Sequence, residues 1–378
     1  MRVGIDGRYI LGGRGIGNST RWLVMAMCDQ PNRPELFLYT TGHSPTLARQ
    51  VKGCVQLAEL RPTSYPLWEH FALPRAARHD HLDILHCTAN TAPAYLPSSV
   101  RLVLTVHDAM YMLAAGEVPS QATFYQAVGR QYRRHMVPRS VRSAAAIITV
   151  SHQSKADIVR LLEATPDRVH VIAEAPGPEF QRMEAGSAAR LLPREIDSRR
   201  PVILGLAGSD PRKNTVRLIE AFRALVERGY DHQLVLTGVT HGLRNRLERI
   251  VSLPTLRSSV HLLGFASQEV LVALYSSAQF VAYPSLYEGF GLPVLEAMSC
   301  GAPVITSNTS SLPEIAGDAA LLISPTNTDE LAEAMVNLAS DEARRAELID
   351  AGYGRVRNFS WQEAATRTLQ LYEDVSRG

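Results

Sequence analysis

The sequence predicts an α/β protein of two doubly wound parallel-sheet domains, and the main observation is two series of short apolar segments. These segments are rich in β-branched residues and alternate with helical stretches, as buried parallel strands do. A chain of 378 residues, 46% of them hydrophobic, can bury two such cores. The first series is 3–5, 36–39, 84–86, 102–106, 146–150 and 169–172, and the second is 202–207, 234–237, 260–263, 280–283, 304–306 and 320–323.

A stretch rich in proline, glycine and charged residues separates the two series, between residues 174 and 200. We therefore expect a Rossmann-like domain over residues 1–182 and a second one over residues 195–360. The final segment, 361–378, has apolar residues at helical spacing, and we expect this helix to pack back on the first domain. Doubly wound sheets bind ligands at the carboxyl ends of their strands, so the expected active site is a cleft between the domains.

Charge and cysteine content exclude several classes of function. The formal net charge of +2 gives no reason to expect nucleic acid as a partner, and it leaves peripheral contact with a membrane open. The cysteines, Cys28, Cys54, Cys87 and Cys300, form no C-x-x-C pair, so neither a disulfide framework nor a zinc site is predicted and a reducing compartment is favoured. No run of about 18 apolar residues occurs. We expect a cytoplasmic protein, with the inner membrane face as a further location.

The most informative segment runs from Pro284 to Met298 (PSLYEGFGLPVLEAM). It follows a predicted strand, turns at two glycines and continues into a helix that we expect Pro293 to open. Unpaired N–H groups at a helix start suit a phosphate, and glycines let the backbone approach a ligand. Glu288 and Glu296 lie on either side of this anion site, where carboxylates can accept hydrogen bonds from sugar hydroxyl groups. The segment therefore predicts a ligand with both phosphate and hydroxyl groups.

The pattern E-x7-E with GFGLP between the glutamates resembles the donor-site motif of retaining glycosyltransferases of family 4, which have the GT-B architecture of two facing Rossmann-like domains. The resemblance covers nearly the whole chain in weaker form, including SLPE at 311–314. It implies that Glu288 contacts the donor sugar as a catalytic residue and that Glu296 contacts the nucleotide ribose. The remaining donor-binding residues of the segment are Gly289, Phe290, Gly291, Leu292 and Pro293.

The resemblance also implies the substrates. The co-substrate would be a nucleotide-diphosphate sugar of the GDP-mannose or UDP-hexose type, with no other cofactor. A hexosyl unit would pass, with retention of anomeric configuration, to a saccharide, a glycolipid or a small-molecule acceptor. No two aspartates are two residues apart, so the D-x-D metal clamp of another glycosyltransferase architecture is missing and metal independence is expected.

A basic pair follows the first strand of the second series, in the loop 208–214 (GSDPRKN). Arg212 and Lys213 lie at a strand carboxyl end, where they can stabilise the charge of a departing diphosphate. The loop resembles the R-K-N motif of family 4, which implies a catalytic role for both. Some members carry a further arginine where this chain has Ser209, which we assign to donor binding.

The first domain supplies further candidates. A histidine such as His107, directly after a strand, is by itself more often structural, but the resemblance implies that it lies over the donor sugar. Asp108 is expected to hold this loop or to contact the acceptor. Ser151, at another strand end, resembles a family position on the acceptor side of the cleft.

The loop 12–17 (GGRGIG) follows the first strand but fits no register of G-x-G-x-x-G, and no acidic residue ends the next strand. Both observations argue against a dinucleotide-binding fold. The resemblance to GT-B enzymes instead implies that Gly13 and Gly15 lie at the donor phosphate and Arg14 on the acceptor side.

Two other functions fit the same sequence. A nucleotide-sugar epimerase of similar architecture would change its substrate without an acceptor. A noncatalytic relative would bind a nucleotide sugar or a partner protein, although the presence of both glutamates, the basic pair and the histidine argues against it.

Overall fold

The computed structural model describes residues 1–13, 15–113, 124–208 and 210–377, without the side chains of residues 124–127. These residues form two compact α/β units. The N-terminal unit comprises 1–13, 15–113, 124–174 and 360–377, and the C-terminal unit comprises 175–208 and 210–359. Each unit contains one sheet in which all pairings are parallel. The predicted fold class of two doubly wound parallel sheets is confirmed.

The sheet of the N-terminal unit has seven strands in the order β3-β2-β1-β4-β5-β6-β7. The strands β1, β2, β4 and β6 are buried along most of their length, which explains their largely apolar sequences. Their bounds are β1 Arg2–Asp6, β2 Glu35–Thr40, β3 Val55–Glu59, β4 Ile84–Cys87, β5 Arg101–Thr105, β6 Ala146–Thr149 and β7 Val169–Val171. The helices are α1 Ile16–Cys28, α2 Pro45–Gln50, α3 Tyr65–Leu67, α4 Leu73–His79, α5 Phe124–Ser143 and α6 His152–Leu162, with a π-helix, Trp68–Ala72, between α3 and α4.

The sheet of the C-terminal unit has six strands in the order β10-β9-β8-β11-β12-β13. The order reverses between β8 and β11, which makes the carboxyl ends of these two strands the expected place for a ligand. The strands are β8 Val202–Leu206, β9 Gln233–Thr237, β10 Val260–Leu262, β11 Ala278–Tyr283, β12 Val304–Ser307 and β13 Ala320–Ile323. The helices are α7 Ala185–Leu191, α8 Thr215–Glu227, α9 His241–Val251, α10 Gln268–Ser277, α11 Leu292–Ser299, α12 Leu312–Ala316, α13 Thr328–Ser340 and α14 Glu342–Val356.

The last helix, α15 (Trp361–Arg377), belongs to the N-terminal unit, where it packs against α1. Its Tyr372 is fully buried, and the tyrosine hydroxyl lies 2.6 Å from Nδ1 of His86 on β4. Nε2 of the same imidazole lies 2.7 Å from Oγ1 of Thr105. Burial lowers the pKa of His86 to about 3, so the ring is neutral and needs both partners.

Two sequence-based expectations need correction. The strand β3 was not predicted, because it lies at the edge of its sheet and its sequence (VQLAE) mixes polar with apolar residues. The expectation of no disulfide was wrong, since Cys28 and Cys54 are bonded with Cα atoms 5.4 Å apart. The fold brings the end of α1 next to the loop before β3, which the separation of 26 residues did not reveal. The cysteines therefore give no argument for a reducing compartment.

Replacing the buried tyrosine of α15 tests how this helix is attached. We expect Tyr372→Phe to lower the free energy of unfolding by about 1–3 kcal/mol, because Nδ1 of His86 loses its partner inside the core. Urea unfolding followed by circular dichroism measures the change. Tyr95→Phe is the control, since the Tyr95 side chain is exposed. Equal free energies of unfolding for the two variants would contradict a stabilising hydrogen bond between Tyr372 and His86.

Candidate active site

The loops after β8 and β11 meet at the carboxyl edge of the C-terminal sheet. The side-chain amide of Asn214 donates to the carbonyl oxygen of Pro284 at 3.0 Å and to that of Pro325 at 2.7 Å. The backbone N–H of Leu286 donates to the carbonyl oxygen of Arg212 at 2.8 Å. These bonds bring the predicted basic pair and the predicted glutamate together at the point where the strand order reverses.

Glu288 lies in a dense set of hydrogen bonds. Its Oε1 atom is 2.8 Å from Nζ of Lys213 and 2.7 Å from the hydroxyl of Tyr283, and it also accepts from the hydroxyl of Ser285. Its Oε2 atom is 3.8 Å from Nη1 of Arg212. Burial alone would raise the pKa of this carboxyl, but the two cations and the hydrogen bonds outweigh it and hold the pKa at about 2. Glu288 is therefore ionised at neutral pH.

The two basic side chains are held differently. Arg212 is bound to Asp210, with Nε 2.8 Å from Oδ2, and donates from Nη1 to the carbonyl oxygen of Tyr287 at 2.8 Å. Lys213 contacts the carboxylate of Glu288 and the hydroxyl of Tyr283. Both are partly buried beside the sheet edge, where a diphosphate would be attracted.

The glycine turn leads into α11 with tight backbone packing. Gly291 has φ of 123°, and a Cβ atom there would lie 2.9 Å from Cδ2 of Leu312. The position therefore requires glycine. Phe290 is buried with its ring 5.9 Å from that of Phe359, and its carbonyl oxygen accepts from Ser311. The helix begins at Leu292, one residue before the expected Pro293, which occupies the second position.

Glu296, on α11, occupies a very different environment from Glu288. Its Oε2 atom accepts from the hydroxyl of Tyr275 at 3.0 Å. Burial raises the pKa of this carboxyl to about 7, with the charge of Glu179 acting in the same direction. The two glutamates of the motif are thus a firmly ionised carboxylate and one that titrates near neutral pH.

The raised pKa predicts how Glu296→Gln changes stability with pH. A carboxyl whose pKa is higher in the folded state stabilises the protein below its unfolded pKa of about 4.5, and this contribution is lost as pH rises through 7. Glutamine carries no charge and still accepts from Tyr275. We expect the variant to gain roughly 1–3 kcal/mol over the parent protein at pH 8 and little at pH 5.

Thermal unfolding between pH 5 and pH 8 measures this difference. Glu220→Gln, on the exposed face of α8, removes the same charge outside the site and should show no such trend. If the difference in stability between Glu296→Gln and the parent protein were constant across this pH range, the pKa of Glu296 would not be raised.

In the N-terminal unit, the predicted His107 is fixed on three sides. Its backbone N–H donates to Oδ1 of Asn90 at 2.8 Å, and Nε2 donates to the carbonyl oxygen of Thr88 at 3.0 Å. Nδ1 lies 3.4 Å from Oε1 of Glu174. Burial alone would lower the pKa of His107, but the hydrogen bond and charge of Glu174 and the Thr88 carbonyl raise it. The ring is thus poised to carry a positive charge.

The same imidazole and carboxylate line a pocket in the N-terminal unit, at the carboxyl ends of β4 to β7. Its other walls are mostly apolar, and α1 and α15 contribute to them. The apolar lining residues are Leu23, Ile148, Val150, Ile172, Ala173, Trp361 and Ala364.

The remaining predicted residues have local roles in the structure. Oδ1 of Asp108 accepts from the backbone N–H of Met110 at 3.0 Å, so Asp108 holds its loop. Ser151 caps α6 by accepting from the N–H of Ser154 at 3.0 Å. Gly13 and Gly15 have φ of 63° and 44°, and a Cβ atom at either would meet nothing within 4 Å, so the backbone conformation favours glycine there. Arg14 and Ser209 lie outside the described residues.

Sequence reasoning missed the groups that surround the candidate residues. Tyr283 and Ser285 flank the predicted strand end, and their hydroxyls were the available signal. Glu174 was assigned to the start of the linker, although it pairs with His107.

Two family models match the chain, one in each unit. "Glycosyltransferase Family 4" matches residues 13–174, and "Glycosyl transferases group 1" matches residues 193–355.

Characterised relatives span most of the chain. "O-antigen chain mannosyltransferase B" of Escherichia coli is 30% identical over 299 residues, which cover 79% of this chain and 76% of the relative. "MMP alpha-(1->4)-mannosyltransferase" of Mycolicibacterium hassiacum is 29% identical and covers 90% of this chain and 84% of its own.

Solved structures agree on the fold. Sucrose-phosphate synthase of Thermosynechococcus elongatus has a TM-score of 0.76 at 21% identity and covers 99% of both chains. HepE of Anabaena in complex with UDP and glucose has a TM-score of 0.71 at 17% identity and covers 98% of this chain and 99% of its own. The family models and the Escherichia coli relative show that the chain belongs to the retaining glycosyltransferases of family 4, and the solved structures show that it has the GT-B fold.

Proposed function

We propose that this enzyme transfers a hexosyl unit, with mannose from GDP-mannose as the first candidate, to a growing saccharide or glycolipid. The observation behind this proposal is the ionised Glu288 beside Lys213 and Arg212. The carboxylate can accept hydrogen bonds from sugar hydroxyls, and the two cations next to it can bind a diphosphate. The mannosyltransferase names of two relatives support the sugar. A UDP-linked hexose is the alternative donor, and a small molecule is the alternative acceptor.

The proposed reaction needs no residue that forms a covalent bond. The bond between the anomeric carbon and the diphosphate oxygen breaks, and the acceptor oxygen bonds to the same face of that carbon. The acceptor proton passes to the departing phosphate oxygen. Arg212 and Lys213 stabilise the growing charge of the diphosphate, and Glu288 holds a sugar hydroxyl.

The other candidates take supporting roles in this proposal. Glu296 accepts from the ribose hydroxyls, and the N–H groups at the start of α11 and the glycines at 13, 15, 289 and 291 serve the phosphates. His107 positions the donor sugar. No metal takes part.

Replacing the catalytic glutamate tests the donor assignment. We expect Glu288→Gln to lower kcat at least about a hundredfold while the fold is preserved, because the charged acceptor for the sugar is lost. Release of GDP or UDP and the anomeric configuration of the product, followed by nuclear magnetic resonance, give the readout. EDTA should leave the rate unchanged, and Glu220→Gln is again the control. Near-normal turnover of Glu288→Gln would contradict the assignment.

The same assay separates the alternatives. An epimerase would convert the nucleotide sugar without an acceptor. A noncatalytic binder would show no turnover, although GDP or UDP would still raise its melting temperature.

We further propose that the enzyme contacts the inner face of a membrane through its N-terminal unit. No helix in the described part of the chain is long and apolar enough to cross a bilayer. An aromatic patch is nevertheless exposed, with Phe71 at 64% and Tyr95 at 71% exposure. We use the name aromatic patch for the exposed side chains Leu67, Phe71, Tyr95 and Val128 of the N-terminal unit. His70 connects the segments that carry these side chains, because Nδ1 accepts from the N–H of Ala94 and Nε2 lies 3.0 Å from the hydroxyl of Tyr132.

The charge around the aromatic patch matches an anionic surface. α4 and α5 bury their apolar sides in one cluster, and the outer sides carry exposed arginines. The single acidic residue of the segments 65–79 and 124–143 is Glu69, which is buried. Exposed aromatic rings beside arginines favour the boundary of an anionic bilayer. The exposed arginines are Arg75, Arg78, Arg133, Arg134, Arg139 and Arg142.

Charge reversal on α5 tests this surface. We expect the protein to sediment with vesicles that contain phosphatidylglycerol and not with pure phosphatidylcholine. Arg133→Glu with Arg134→Glu should weaken vesicle binding about tenfold or more, at roughly 1 kcal/mol for each basic residue. Arg249→Glu with Arg257→Glu makes the same charge change on the C-terminal unit and should leave binding unchanged. Equal loss in both pairs would contradict the proposed surface.

A further inference from the structure

We propose that Tyr283 is a positioning residue that keeps Glu288 ionised and aligned while Lys213 moves from this carboxylate to the donor diphosphate. The inference rests on the proposed function and adds to it a coupling between donor binding and the sugar contact. All the groups involved lie in the C-terminal unit, on the loops after β8 and β11.

The hydrogen bonds of Glu288 are concentrated on one oxygen. Lys213, Tyr283 and Ser285 all donate to Oε1. Oε2 lies 3.8 Å from Nη1 of Arg212, beyond hydrogen-bond distance. One side of the carboxylate is therefore anchored, and the other side is the candidate acceptor for a sugar hydroxyl.

Tyr283 connects the cation to the carboxylate. The residue is 1% exposed, and burial raises the pKa of its hydroxyl well above 10, so the proton is retained. Lys213 has only donors, so its ammonium donates to the tyrosine oxygen, and the tyrosine donates to Oε1 of Glu288. Lys213 also donates directly to Oε1, and its Nζ atom lies 4.8 Å from the centre of the Tyr283 ring.

Arg212 and Lys213 differ in how easily they can leave their present partners and bind a diphosphate. Asp210 and the carbonyl oxygen of Tyr287 hold Arg212 in place. Lys213 is an ammonium on a flexible stem, bound to the carboxylate that the diphosphate would compete with. Arrival of the diphosphate thus draws Lys213 away from Glu288.

Departure of Lys213 would leave Arg212, with Nη1 3.8 Å from Oε2, as the cation beside the buried carboxylate of Glu288. A buried carboxylate that loses one of two cations binds a proton more readily, unless neutral donors stabilise its charge. Tyr283 and Ser285 are such donors, and neither changes its charge when the diphosphate binds. They therefore hold Oε1 in place and keep the carboxylate ionised, so that Oε2 can accept a hydrogen bond from the sugar.

Tyr283→Phe removes this hydroxyl with little change in shape. We expect kcat to fall about ten- to a hundredfold, since one hydrogen bond to a charged group is lost, and the KM for the donor to change less than about threefold. The pKa of Glu288 in the loaded enzyme should rise, so the acid limb of the pH profile of kcat should move to higher pH. Ser285→Ala should likewise lower kcat and move the acid limb to higher pH.

Tyr39→Phe is the matched control, because it removes another buried hydroxyl that donates to a carboxylate, that of Asp80, in the N-terminal unit. Its pH profile should equal that of the parent protein. An unchanged acid limb in Tyr283→Phe, or an effect on KM alone, would overturn the inference.

A titration of 13C-labelled glutamate in the GDP- or UDP-bound protein gives a readout without turnover. The pKa of Glu288 should be higher in Tyr283→Phe than in the parent protein, and equal values would overturn the inference. Absence of turnover in the parent protein with every nucleotide sugar would instead overturn the proposed function.

Discussion

The charge of Glu288 is the constraint on which the candidate site depends. A carboxylate removed from water requires compensating charge and hydrogen bonds. The loop after β8 supplies Lys213 and Arg212, and the loop after β11 supplies Ser285 and the glutamate itself. Asn214 ties the two loops together through the carbonyl oxygen of Pro284. The reversal of strand order between β8 and β11 makes this arrangement possible. At such a point the connections leave the two strands in opposite directions, so a crevice forms at their carboxyl ends.

The two glutamates of the motif show how one segment provides two kinds of acceptor. Glu288 is surrounded by donors and cations, which lower its pKa, whereas Glu296 has the hydroxyl of Tyr275 and little else to oppose burial. Their spacing of eight residues spans the turn and the first part of α11. The segment therefore has a firmly ionised carboxylate at one end and a carboxyl that titrates near neutral pH at the other.

In the N-terminal unit, the surroundings favour a positively charged side chain in the same way that they favour a negatively charged one at Glu288. His107 is surrounded by acceptors, the carbonyl oxygen of Thr88 and the carboxylate of Glu174, which favour its charged form. The loop is then fixed by Asp108 and by Asn90, so the imidazole has a defined orientation. Strand ends provide these positions because their loops can vary while the sheet stays rigid.

The sequence by itself determined the parallel sheets and the family, because buried strands must be apolar over their whole length and the E-x7-E spacing is specific. It also selected Glu288, Lys213 and His107 as candidate site residues. Only the tertiary structure decided their partners, because the sequence does not show which side chains Tyr283, Ser285 and Glu174 contact. The strand β3 and the bond between Cys28 and Cys54 were likewise decided by the fold. The physical reason is that periodicity records which side of an element is buried, whereas a hydrogen bond or a disulfide depends on distances between residues far apart in the chain.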